Sequence, residues 1–126
     1  MKRQVVIGFI GTQLDGTSGG AGRWEKWRPT VSLGMHEDFA VDRMELLVDQ
    51  RRFRRLSEQL IEDMQSVSPD TEVKVHDVHL ADPWDFEQVY AALFDFVADY
   101  PFDTEHEDYL VHITTGTHVV QICWFL

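Results

Sequence analysis

A chain of 126 residues with 44% hydrophobic content holds one domain and is no disordered tail. Its single cysteine, Cys123, excludes an internal disulfide framework and suits a reducing cytosol, and no apolar run approaches the roughly 20 residues of a membrane span. The net charge of −11 argues against a surface that coats nucleic acid non-specifically, yet it is unevenly spread: residues 1–56 carry +3 and residues 57–126 carry −14. An anion must be met by the first half of the chain or by backbone dipoles, unless the asymmetry only serves solubility.

Met1 to Gln4 leads into Val5-Val6-Ile7-Gly8-Phe9-Ile10, a continuous apolar run too short for a signal peptide and typical of a strand buried on both faces. Gly11 to Gly22 is a long loop of glycine and small polar residues, and loops of about a dozen residues tend to be functional. Pro29 opens a short helix through Val31, Leu33 and Met35. Met44 to Val48 is a second strand, and Arg51 to Val67 repeats apolar residues at the helical period, at Phe53, Leu56, Leu60, Met64 and Val67. Val73, Val75, Val78 and Leu80 suggest a third, more exposed strand. Asp82-Pro83 predicts a helix start, with Phe86, Val89, Tyr90, Leu93, Phe94 and Val97 as the buried face and Pro101 as the stop. Tyr109 to Ile113 is a fourth strand, Thr114 to Thr117 a tight turn, and His118 to Leu126 a final helix. The uncapped end at Cys123-Trp124-Phe125-Leu126 reads as the front piece of a longer protein.

This alternation predicts an α/β, Rossmann-like three-layer domain: a mostly parallel sheet of strand order 3-2-1-4 with helices on both faces. Ligands then lie beyond the carboxyl ends of strands one and four, where the order reverses. Gly11, Thr12, Gln13, Leu14 and Asp15 meet Thr114, Thr115, Gly116, Thr117 and His118 there, offering hydroxyls and amides that hold a phosphate without net positive charge. The alternative is a plain strand-to-helix turn with Thr117 as its cap. Arg51 and Arg52, with Arg54 and Arg55, open the second long helix against its dipole and so point to an anion, unless they pair with Asp49 and Glu58. Trp24 and Trp27 beside Arg23, Lys26 and Arg28 form an aromatic-basic patch that could stack a base or serve as an apolar lid or dimer contact.

No Walker-type P-loop is present, and the first strand is not followed by G-x-G-x-x-G. His76 and His79, three apart on the third strand, point to opposite faces, and His112 reads as a core histidine; neither a metal nor another cofactor is expected. Asp15, His118 and the threonines make only a weak acid–base set, so the site reads as one that binds rather than catalyses.

Val5 to Asp15, Arg23 to Val31, Asp82 to Phe86 and Tyr109 to His118 together resemble the N-terminal domain of the RtcR family, sigma-54-dependent transcriptional activators of an RNA-repair operon. That domain belongs to the CARF group, the CRISPR-associated Rossmann fold. The resemblance covers essentially the whole chain. It implies a cytoplasmic regulatory sensor for RNA ends bearing a 2′,3′-cyclic phosphate or a related oligonucleotide, acting as a homodimer and relieving repression of a downstream AAA+ ATPase. Sigma-54 RNA polymerase and DNA would be engaged through domains absent here. It also implies that Gly11 to Asp15 and Thr114 to His118 are the two ligand loops. Many CARF domains carry Gly-Gly or Lys in the second loop; Thr-Thr-Gly-Thr-His here departs from a generic cyclic oligoadenylate site. The alternative is a CARF-type ring nuclease or phosphodiesterase acting on cyclic oligoadenylate or RNA.

Overall fold

Val5 to Phe9 is buried at every position because strand β1 (Arg3–Phe9) lies between two neighbours and under helices on both sides. The computed structural model describes residues 2–10, 24, 28–35, 40–112 and 117–125. After β1 come α1 (Pro29–Gly34), β2 (Arg43–Val48), α2 (Gln50–Val67), β3 (Glu72–Asp77), α3 (Phe86–Asp99), β4 (Glu107–His112) and α4 (His118–Cys123). The sheet runs β3-β2-β1-β4, and all three pairings are parallel. Alternation splits the strands between two cores. Val6, Ile10, Met44, Leu46 and Val48 pack with Val31, Leu60 and Met64 of α1 and α2, while Val5, Ile7, Phe9 and Leu47 pack with Val89, Leu93, Val120 and Cys123 of α3 and α4. Each such fully buried side chain contributes about 1.5–3 kcal/mol.

Several boundaries differ from expectation. Helix α3 starts at Phe86, because Asp85 accepts the Glu87 N–H as the cap; Asp82 instead folds a turn, its carboxylate accepting the Trp84 N–H at 3.0 Å. Only two of the six residues of the expected buried face of α3 are buried. Val89 and Leu93 are buried, but Phe86, Tyr90, Phe94 and Val97 are exposed, because the sheet beneath accepts only one narrow row of the helix. Strand β3 ends at Asp77, so His79 lies past the strand and the opposite-face argument for His76 and His79 fails. Helix α4 is six residues long and stops at Cys123.

Charged residues on the central strand β2 were not anticipated as a structural feature. Arg43 donates to both oxygens of Glu107, at 2.6 and 2.9 Å, to Glu45 at 2.9 Å and to the Tyr100 hydroxyl at 2.8 Å. It thereby ties the amino ends of β2 and β4 across β1. Glu45 also meets the His76 ring, and Tyr109 donates to Glu107 at 2.6 Å. Hydrogen bonds from Arg43, then from Tyr109, hold the Glu107 carboxyl down from 4.5 to about 2. Glu107 in turn raises Arg43, while burial pushes up the Tyr100 and Tyr109 phenols and the Cys123 thiol. A buried pair of this kind is costly to break from one side.

Candidate ligand-binding site

The carboxyl edge of the sheet is built differently from the clamped amino edge. Strand order reverses between β1 and β4, so the carboxyl ends of these two strands mark the topological switch point of the sheet, where folds of this kind bind ligands. Gly8 lies near that end of β1: a Cβ there would meet the Cβ and carbonyl oxygen of His112 at 3.0 and 3.1 Å, so only glycine lets the two strands approach as they do. Gly11, Thr12, Gln13, Leu14 and Asp15, and Thr114, Thr115 and Gly116, lie outside the described residues.

Thr117 and His118 are described at the start of α4. Thr117 caps that helix, as the alternative of a plain strand-to-helix turn foresaw, accepting the Val120 N–H at 3.2 Å, and its hydroxyl donates to the Pro83 carbonyl at 2.7 Å. A hydroxyl has one donor and two lone pairs, so one acceptor position is left for a ligand. The second bond ties the turn at residues 82–85 to the start of α4. His118 is exposed and meets the Trp84 ring edge-on, with centroids 6.0 Å apart; Trp84 is itself 59% exposed.

Arg51 and Arg52 stand exposed on the first turn of α2, which a kink at Phe53 separates from the rest of the helix. The ion pairs weighed for them and for Arg54 and Arg55 do not form: among the described residues no carboxylate lies within ion-pair distance of any of the four. The Arg52 guanidinium lies 5.6 Å from the centroid of the Phe53 ring. Asp49 is engaged otherwise, accepting the Arg51 N–H at 3.2 Å. Asp77 accepts the Gln50 N–H at 2.9 Å, and His79 lies 4.0 Å from Asp49 and 3.5 Å from Asp77. Asp49, Asp77 and His79 form the one group among the described residues whose donor atoms, within 4.8 Å of one another, have the chemistry to hold a divalent cation. Both carboxylates already cap α2. Sequence reasoning passed over this group because its members follow the ends of two different strands, and only the β2–β3 register brings them together.

The aromatic-basic patch is corrected in part. Arg28 is buried and bound to Asp63 of α2 at 2.7 Å, so it holds α1 against α2 and offers no charge to a nucleic acid. Trp24 is exposed; Arg23, Lys26 and Trp27 lie outside the described residues. His112 is half-buried within β4. Among the described residues no helix is long and apolar enough to cross a membrane.

A parallel sheet of order 3-2-1-4 with helices on both faces defines a Rossmann-like domain. Csm6 of Enterococcus italicus, solved bound to cyclic hexa-2′-fluoro-hexa-dAMP, superposes with a TM-score of 0.65 at 12% identity, covering 99% of this chain and 30% of that one. The chain belongs to the RtcR family, regulators of RNA terminal phosphate cyclase, whose profile matches residues 2–126. The transcriptional regulatory protein RtcR of Escherichia coli (strain K12) is 56% identical over 126 residues, the whole of this chain and 24% of that protein.

Proposed function

We propose that this domain is the cytoplasmic sensor of a transcriptional regulator, binding an RNA end with a 2′,3′-cyclic phosphate in the crevice between β1 and β4. The observation that carries the reading is the reversal of strand order between β1 and β4, in a chain of the RtcR family. Residues 11–15 follow β1 in the chain and residues 114–118 follow β4. Hydroxyls and amides of these segments meet the phosphate, which suits a half-chain of net charge −14. Arg51 and Arg52, unpaired with any described carboxylate, supply outer contacts to the RNA backbone. The ligand acts as a signal: two copies of the domain bind it, and binding relieves repression of an AAA+ ATPase in the longer polypeptide.

Titration with short RNAs ending in cyclic phosphate, 3′-phosphate or hydroxyl tests the reading, with a cyclic oligoadenylate as the arm suggested by the Csm6 complex. The cyclic-phosphate RNA is expected to bind best, and Thr115→Ala or Asp15→Ala to weaken it. Failure of all three RNAs to bind, or preference for the cyclic oligoadenylate, overturns the RNA-end assignment.

A further inference from the structure

Trp84 stands 59% exposed, although tryptophan is on average a highly buried residue. It lies in the turn between β3 and α3, and that turn is closed by its own hydrogen bonds. The Asp82 carboxylate accepts the Trp84 N–H and the Asp82 carbonyl accepts the Asp85 N–H, both at 3.0 Å. Gln88 of α3 reaches back, accepting the Asp82 N–H at 3.1 Å and donating to the Asp85 carboxylate at 3.2 Å. Two contacts then join the turn to the start of α4. The Thr117 hydroxyl donates to the Pro83 carbonyl at 2.7 Å, and the His118 ring meets the indole with centroids 6.0 Å and planes 81° apart. An edge-on contact takes up at most one face of a ring, and among the described residues no other ring meets Trp84. The indole therefore keeps an open face beside Thr117 and His118, two residues of the segment that follows β4.

Charge decides what such a face can take here. Residues 57–126 carry −14, and Asp82 and Asp85 flank the indole, so a sugar-phosphate chain is disfavoured against it. A nucleobase is uncharged and has a π-face of its own, and stacking on an aromatic side chain is how unpaired RNA bases are commonly held. A side chain fixed in a hydrogen-bonded turn also loses little freedom when the base arrives, which favours binding.

We infer that Trp84 is the stacking platform for the nucleobase of the nucleotide whose phosphate is held at the start of α4. The inference rests on the RNA-end reading and extends it. The segments after β1 and β4 meet the phosphate, and Trp84 meets the base on the same nucleotide. The site then recognises a phosphate joined to a base, and so selects a nucleotide end over inorganic phosphate or a sugar phosphate.

The probes are two short RNAs ending in a 2′,3′-cyclic phosphate, identical except that the terminal sugar of one carries hydrogen in place of its base. Their binding to the unsubstituted chain, to Trp84→Ala and to Trp84→Phe is read by anisotropy, alongside thermal unfolding. Trp84→Ala is expected to weaken the complete RNA about 5- to 150-fold, to the level of the base-less one, and to leave the base-less RNA unchanged. Trp84→Phe should keep most of the affinity, and the thermal midpoint should move little because the indole is exposed. Equal weakening of both RNAs by Trp84→Ala, or a lowered midpoint with no loss specific to the base, would assign Trp84 to packing and overturn the inference. Equal binding of the two RNAs by the unsubstituted chain overturns it as well and leaves the RNA-end reading standing. Failure of the unsubstituted chain to bind either RNA overturns both.

Discussion

Gly8 shows how one missing side chain shapes the ligand edge. The parallel pairing of β1 with β4 brings Gly8 opposite His112, and a methyl group there would press on backbone as well as side chain. Gly8→Ala is expected to cost about 1–3 kcal/mol in urea unfolding. The sequence shows a glycine inside a strand, which signals close approach, but not what approaches. Arg51 and Arg52 are the complementary case. Their exposure and helix-start placement were legible, while the absence of local ion pairs was not, because Asp49 turns to the backbone instead. The double substitution Arg51→Ala/Arg52→Ala is expected to leave the thermal midpoint nearly unchanged and to weaken RNA binding. It should flatten the salt dependence by about 0.7 in log–log slope for each lost phosphate contact. An unchanged slope would remove both arginines from the site.

Among the helices, periodicity identified which segments coil but not how much of each is covered. Helix α2 buries Ser57, Leu60, Asp63 and Met64, so its inner face includes a carboxylate that Arg28 neutralises. No local pattern announces that pair, because its members are distant in sequence and each looks like an ordinary surface charge. Asp63→Asn takes the carboxylate charge away from the buried guanidinium of Arg28, and the expected cost is about 3–5 kcal/mol by chemical denaturation. Arg54→Ala, on the exposed face of the same helix, is expected to stay within about 0.5 kcal/mol. Helix α3 erred in the other direction. Its aromatic residues repeat so regularly that they imply a broad buried face, yet only Val89 and Leu93 reach the sheet deeply. Aromatic periodicity does not distinguish residues that pack inside the domain from residues that stay exposed on it.

Taken as a whole, the sheet has a clamped amino edge: Arg43, Glu107, Glu45 and Tyr100 lock the amino ends of the strands together. The clamp predicts an acid response. The folded-state value of Glu107 lies below its ordinary value of 4.5, so below that pH the unfolded chain binds the proton more readily than the folded one. The stability it supplies is complete above about 4.5 and is lost as the pH falls through about 2. Urea midpoints measured across that window should fall more steeply for the unsubstituted chain than for Glu107→Gln, which starts lower. Parallel curves would assign the acid response to other carboxylates. The order of elements and the parallel 3-2-1-4 sheet could both be read from apolar runs, helical periods and turn residues, because these are local signals and connection handedness leaves few topologies. The Arg43–Glu107 clamp, the buried Arg28–Asp63 pair, the meeting of Asp49, Asp77 and His79, and the uncovered row on α3 could not. Each depends on strand register or on the seating of a helix against the sheet, and those are set by packing between segments far apart in the chain.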